Sequence, residues 1–198
     1  MAVIGITGGI GSGKSSFSRI LAETLGAELF DSDIAARELL DSDPVVRDLV
    51  TSRVFVGAYT ADGRPDRAAI RRLVFHDAEA KARLEEIIHP RVRERWTRLA
   101  ADCRSRGNPL VVEIPLLFET NAQDFFDCVI TIGCSPETQL RRILQRGLEH
   151  DEARAILRNQ LPLEQKAARS AFVVWNDGSL ENLREQASEF RKHFSVRI

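Results

Sequence analysis

Little in this chain is extreme, and each missing extreme removes a class of protein. Charge of one sign is not in excess: over 198 residues the net charge is −1. That argues against wholesale nucleic-acid binding, with local basic patches still open. No run approaches the ~18 apolar residues that a membrane-spanning helix needs. The opening "MAVIGITGG" has neither a basic leader nor a signal-like apolar core, so folded structure is expected to begin at once. Cysteine is scarce: Cys103, Cys128 and Cys134 form no close metal-type pair and cannot all pair internally. Buried, reduced thiols in a cytoplasmic protein are the expectation. Repeats and low-complexity tracts are missing too. What remains is ordinary globular chain, 43% hydrophobic and 29% charged, long enough for one full core and a smaller inserted subdomain.

The apolar pattern predicts a parallel α/β sheet. Val3, Ile4 and Ile6 make a short buried strand that breaks into a glycine loop, after which Phe17, Ile20, Leu21 and Leu25 fall on one helical face and Gly26 stops the helix. "AELF" predicts a second strand, and strand–loop–helix–strand is how such a sheet opens. Residues 34–107 are mostly helical in pattern, with Asp43-Pro44 and Asp66 as helix starts and Pro90 expected to interrupt a long helix. That is more than a crossover requires, so it is a helical insertion. "PLVVEIP", "CVITIG" and "AFVVW" complete five strands. Ser135-Pro136 begins a helix bearing Arg141, Arg142 and Arg146, "EHDEARAILRNQ" predicts another, and Leu180, Leu183, Ala187, Phe190 and Phe194 mark a closing one.

The loop itself carries the chemistry. "GITGGIGSGKSS" holds the spacing Gly8-x-x-x-x-Gly13-Lys14-Ser15, a P-loop pattern between a strand and a helix. Its glycines turn backbone N–H groups onto phosphates, and the next helix adds its positive end. Lys14 is expected to reach the outer phosphates, and the Ser15 hydroxyl to ligate Mg²⁺.

Acceptor chemistry is sought at the same sheet edge. Asp31 and Asp33 follow the second strand; either could be a solvated capping group, but beside a P-loop one can orient an acceptor hydroxyl and take its proton. Asp33, nearer the helix start, is the choice. Glu113 ends the third strand, either as an acid assisting Mg²⁺ or as a strand-end cap. His89, before Pro90, is either structural or a contact to a substrate phosphate. Arg142 and Arg146, four apart, share a helix face suited to a closing lid that neutralises transferred charge, with Arg141 a bystander. Asn176 and Gly178 could touch the nucleotide base or simply form a turn.

Taken together, "ITGGIGSGKS", "DSDIAAREL", "LEEIIHP", "EIPLLFE", "QLRRILQR" and "VVWNDGS" resemble, in order and spacing, the dephospho-coenzyme A kinase family, over essentially the whole chain. The resemblance implies ATP-dependent phosphorylation of the ribose 3'-hydroxyl of dephospho-CoA. It implies a P-loop core of five parallel strands flanked by helices (1–33, 108–135 and 170–198), a helical CoA-binding subdomain (34–107) and a lid (136–169). Asp33 then takes the catalytic-base position with Lys14, Arg142 and Arg146 at the transferred phosphoryl group. Gly9, Gly11, Ser12, Gly13, Lys14, Ser15 and Ser16 hold ATP, Asn176 and Gly178 lie at the base, His89 and Glu113 join the acceptor site, and Ser15 and Glu113 serve Mg²⁺. Two departures stand out. The family usually has Asp where this chain has Glu113, and commonly "AD" where it has Ser170-Ala171. Alternatives are another small-molecule kinase, resembling shikimate or nucleoside monophosphate kinases, and a module that holds ATP without phosphorylating a small molecule.

Overall fold

The computed structural model describes residues 2–147 and 160–194. Val3–Gly8 (β1), Leu110–Glu113 (β3) and Cys128–Gly133 (β4) are buried at every position. Strands covered on both faces are mostly apolar, which is why these runs do not alternate. Glu28–Asp31 (β2) and Phe172–Trp175 (β5) are less buried and form the two edges. The five strands are all parallel, in the order β2-β3-β1-β4-β5. Register sets Glu113 opposite both Ile6 and Asp31, and Gly8 opposite Ile132, so the glycine loop, Glu113 and Asp31 share the carboxyl edge.

Helices cover both faces. On one side Lys14–Leu25 (α1) buries Phe17 and Leu21, and it ends where Gly26 turns left-handed at φ 63°. A C-terminal helix, Leu180–Phe194, packs Leu183, Ala187 and Phe190 into the same core with Ile4, Ile6, Ile130 and Val174. Each such valine, leucine, isoleucine or phenylalanine, fully buried, contributes roughly 1.5–3 kcal/mol. On the other side Leu117, Phe118, Ala122 and Val129 gather with Ile114, Phe126 and Leu161. Gly5 makes room for them: a Cβ there would stand 2.8 Å from Leu117 and 2.9 Å from Phe126.

Two compact units divide the chain, one of Met1–Asp31 with Leu99–Ile198, the other of Ser32–Arg98. The second unit is helical: Ser32–Ser42 (α2), Pro44–Arg53 (α3), Arg67–His76 (α4) and most of Ala78–Arg106 (α5). Asp43 accepts from the amides of Val45 and Val46, and Asp66 from that of Ala69, so both expected helix starts are built as caps. Tyr59 Oη donates to the Leu40 carbonyl (3.0 Å) and Arg67 pairs with Asp41 (2.6 Å), tying the turn after α3 and the start of α4 back to α2.

One expectation fails here. Pro90 does not interrupt the helix; α5 runs through it from Ala78 to Arg106. Proline removes one helical hydrogen bond, but Pro90 and Glu86, whose carbonyl loses its partner, are exposed to water. Ile87, Ile88, Val92 and Trp96 are buried on either side and hold the helix together across the gap.

In the first unit, Ser135 caps Pro136–Gln145 (α6) through the Thr138 amide, Leu163–Ala168 forms α7, and the C-terminal helix is α8. Apart from Gln160, the helix expected over "EHDEARAILRNQ" lies outside the described residues, as does 148–159 of the expected lid. The three cysteines are free and buried. Among the described residues no helix is long and apolar enough to cross a membrane.

Candidate active site

Where β1 ends, the backbone adopts φ 147° at Gly8, 75° at Gly11 and 91° at Gly13, which wraps residues 8–14 into a closed loop on the N-terminus of α1. Gly13 is required twice over: its φ is left-handed, and a Cβ would collide with the Asn176 amide. Lys14, only 8% exposed, reaches across the loop so that Nζ donates to the Gly9 carbonyl at 3.0 Å. The Ser12 hydroxyl is buried with no hydrogen-bond partner among the described residues. An orphaned donor, a lysine and a helix N-terminus on one loop suit a phosphate chain.

Ser15 and Glu113 come together. The Ser15 hydroxyl donates to Glu113 Oε1 at 2.8 Å, bridging the first turn of α1 to the end of β3. Glu113 is 4% exposed, and burial pushes its carboxyl up, while the Ser15 bond and Lys14 pull the other way and Asp31 adds to the rise. A carboxylate and a hydroxyl side by side are hard oxygen donors of the kind that hold Mg²⁺ together with phosphate oxygens and water. Among the described residues no cluster of three or more His, Cys, Asp or Glu could hold a metal ion.

Asn176 and Arg142 brace the loop from outside. Asn176 is buried and its amide donates to the Ser12 carbonyl at 2.8 Å. Arg142 Nη1 lies 3.4 Å from the carbonyls of both Gly11 and Ser12. Arg146 stands at the end of the same helix. It is the exposed C-cap of α6, which ends at Gln145, and left-handed Gly147 follows it at φ 81°. Gly178 is covered by Asn182, whose Oδ1 lies 2.6 Å from where a Cβ would be and accepts from the Ser179 amide.

The helical unit carries the other two candidates. Asp33 is exposed in the first turn of α2, two residues beyond Asp31. His89 is half-buried on α5. Burial lowers its pKa from the ordinary 6.5, Arg93 and Lys81 push it the same way, and Glu85 opposes them. Ser16 is exposed at the start of α1.

Four further residues were not singled out from the sequence. Gln139 and Gln160 both bond to Ile10 of the loop, and Lys166 and Glu119 form a buried ion pair at 2.9 Å. A lone polar residue inside a helical run looks solvated until the fold turns it inward. Near the departure at 170–171, the Ser170 hydroxyl is 2.6 Å from that of buried Thr131 and donates to the Lys166 carbonyl, so this stretch is held by neutral hydroxyls.

Comparison with known proteins agrees with the loop. The family model "Dephospho-CoA kinase" matches residues 2–182. A dephospho-CoA kinase of Geobacter sulfurreducens is 40% identical over 191 residues, 96% of each chain. The dephospho-CoA kinase of Campylobacter jejuni superposes with a TM-score of 0.72 at 28% identity, over 98% of this chain and 97% of that one. A shikimate kinase from Acinetobacter baumannii gives a TM-score of 0.56 at 18% identity, over 100% and 96%, a likeness of fold alone. Agreement at this identity along nearly the whole length goes beyond shared fold: the chain belongs to the dephospho-CoA kinase family.

Proposed function

We propose that this chain transfers the γ-phosphoryl group of ATP to the ribose 3'-hydroxyl of dephospho-CoA, giving CoA and ADP in the last step of CoA synthesis. The observation that carries the reading is the Ser15–Glu113 pair at the mouth of a closed phosphate loop, in a chain that matches this family throughout. Phosphoryl transfer asks for positioning and charge stabilisation more than for covalent chemistry. The amides from Gly9 to Ser16 hold the phosphates, and Lys14 leaves the Gly9 carbonyl for the outer phosphate oxygens. Ser15 and Glu113 would hold Mg²⁺, which when bound neutralises charge on the phosphate oxygens. Arg142, already at the loop, adds positive charge there, and Arg146 is assigned to the same task. Asn176 holds the loop and, with Gly178, lies at the base. Asp33 accepts the proton of the 3'-hydroxyl. The helical unit binds dephospho-CoA, and His89, neutral at pH 7, serves its phosphate as an N–H donor. The partners are these small molecules and not nucleic acid, and the site of action is the cytoplasm.

Incubation with Mg-ATP and dephospho-CoA, read by mass spectrometry, is expected to give a product heavier by one phosphate. Shikimate and nucleoside monophosphates run in parallel should give none. Turnover of either in place of dephospho-CoA would replace this reading. Lys14→Ala is expected to lower turnover about 10²-fold or more; near-normal turnover would remove Lys14 from the reaction.

A further inference from the structure

We infer that Gln160 and Lys166 act together as a positioning strut, fixing the phosphate loop and the segment behind Glu113 in one spatial relation. The inference rests on the reading that this loop transfers a phosphoryl group. Its starting point is a charge in the wrong place for stability. Lys166 is fully buried on α7. A buried ion pair is often matched or bettered by apolar residues of the same volume, so the fold alone gives little reason to keep this one.

The lysine binds one functional segment. Its Nζ donates to the Pro115 carbonyl at 2.8 Å and pairs with Glu119 Oε1 at 2.9 Å. Those acceptors belong to "IPLLFE", residues 114–119, the stretch that leaves the sheet directly after Glu113. The Pro115 carbonyl also accepts from Thr7 Oγ1 at 3.1 Å, and Thr7 stands one residue before the loop's first glycine. Glu119 Oε1 takes a further bond from the Leu161 amide at 2.8 Å.

The other end reaches the loop itself. Gln160 Oε1 accepts from the Ile10 amide at 3.0 Å, while the Ile10 carbonyl accepts from Gln139 Nε2 at 2.8 Å. Both polar groups of a residue in the middle of the phosphate loop are therefore held by side chains from distant parts of the chain. Gln139 and Gln160 also line, with Gly9, Ser12 and Cys134, a cavity of about 430 Å³ beside the loop. Between the two ends run Leu161, Pro162 and the first turn of α7. Proline has a fixed φ and helix has a fixed rise, so the link has little freedom to stretch. Neither residue touches a reacting atom in this account. Their work is to keep the loop amides and Glu113 aligned, and misplacement by about 1 Å at such a site can cost 10²-fold in rate.

The test is steady-state kinetics with ATP and dephospho-CoA on Gln160→Ala, on Lys166→Met/Glu119→Leu, and on the triple variant. Removing both charges at once leaves an apolar pair instead of an unpaired buried charge, and each assay runs well below that variant's own unfolding midpoint. Each change is expected to lower kcat at least about tenfold, with KM for ATP within about threefold, as for a loss felt only at the transition state. Parts of one device do not add, so the triple variant should be no slower than the worse of the two. Wild-type kcat in either variant, a loss confined to KM, or losses that multiply in the triple variant would overturn the strut. Wild-type protein that makes no CoA would overturn the kinase reading, and the strut with it.

Discussion

Two residues of the helical unit show how local environment sets chemical role. Asp33 sits exposed in the first turn of α2, where a carboxylate is favoured by the helix dipole. Asp33→Asn keeps size and polarity but removes the basic oxygen. A fall in turnover of at least about 10²-fold is expected, in the range of a positioned general base, with ATP affinity little changed. Turnover and ATP titration on one sample decide it: sustained turnover excludes Asp33 as the base, and loss of ATP binding moves it to the metal site. His89 behaves differently because it is half-buried. Burial, Arg93 and Lys81 favour its neutral form against Glu85, so its folded pKa lies below the ordinary 6.5. Between the folded value and 6.5 the unfolded chain binds more protons, so stability contributed by neutral His89 is complete above 6.5 and falls as pH drops through that window. His89→Gln should remove this loss. Unfolding midpoints measured at descending pH are expected to show wild type losing ground to the variant below 6.5, and equal pH dependence would remove the burial argument.

Among the elements, α5 and the phosphate loop show what sequence pattern can carry. Helix α1, the five strands and the caps at Asp43 and Asp66 were legible because each rests on residues within one turn or one strand. The P-loop was legible because its glycines are needed for backbone geometry that a single stretch encodes. Pro90 misled for the same reason: the local rule ends a helix, while Ile87, Ile88, Val92 and Trp96 override it through burial. Pro90→Ala should restore the missing bond and relieve His89, which as the residue before proline is disfavoured in helical conformation. Propensity alone puts the gain near 3 kcal/mol; with the helix already adapted to proline, at least about 1 kcal/mol is expected, or roughly 2–4 °C in midpoint for a chain of this size. A lower midpoint in thermal unfolding would show that the packing depends on the proline ring. Lys166, Glu119, Gln139 and Gln160 were illegible because their partners lie far along the chain, 51 residues for Lys166 and Pro115, 150 for Gln160 and Ile10.

At the scale of the molecule, the division into Met1–Asp31 with Leu99–Ile198 and Ser32–Arg98 separates two kinds of surface. The first unit carries the glycine loop, Lys14, the Ser15–Glu113 pair and Arg142, the residues proposed to hold ATP. The second unit, the helices of Ser32–Arg98, is the part proposed to bind the other substrate. Its helices bury Leu39, Val46, Val50, Ile70, Ile87 and Trp96, and half-exposed surface pairs such as Arg67–Asp41 and Arg95–Glu38 add to that. Exposed pairs of this kind contribute little, about 0–1 kcal/mol each, so amides that rely on them, at helix ends and connections, exchange through local opening. A ligand that binds only the folded form suppresses such opening in proportion to its occupancy. Hydrogen exchange with dephospho-CoA is therefore expected to protect amides of α2, α4 and α5, while ATP without acceptor protects residues 8–16. The distinction is sharp because the two segments are far apart in sequence and give separate peptides. If dephospho-CoA protects only the first unit, residues 32–98 are scaffold, and the acceptor site has to be sought on the sheet edge around Glu113.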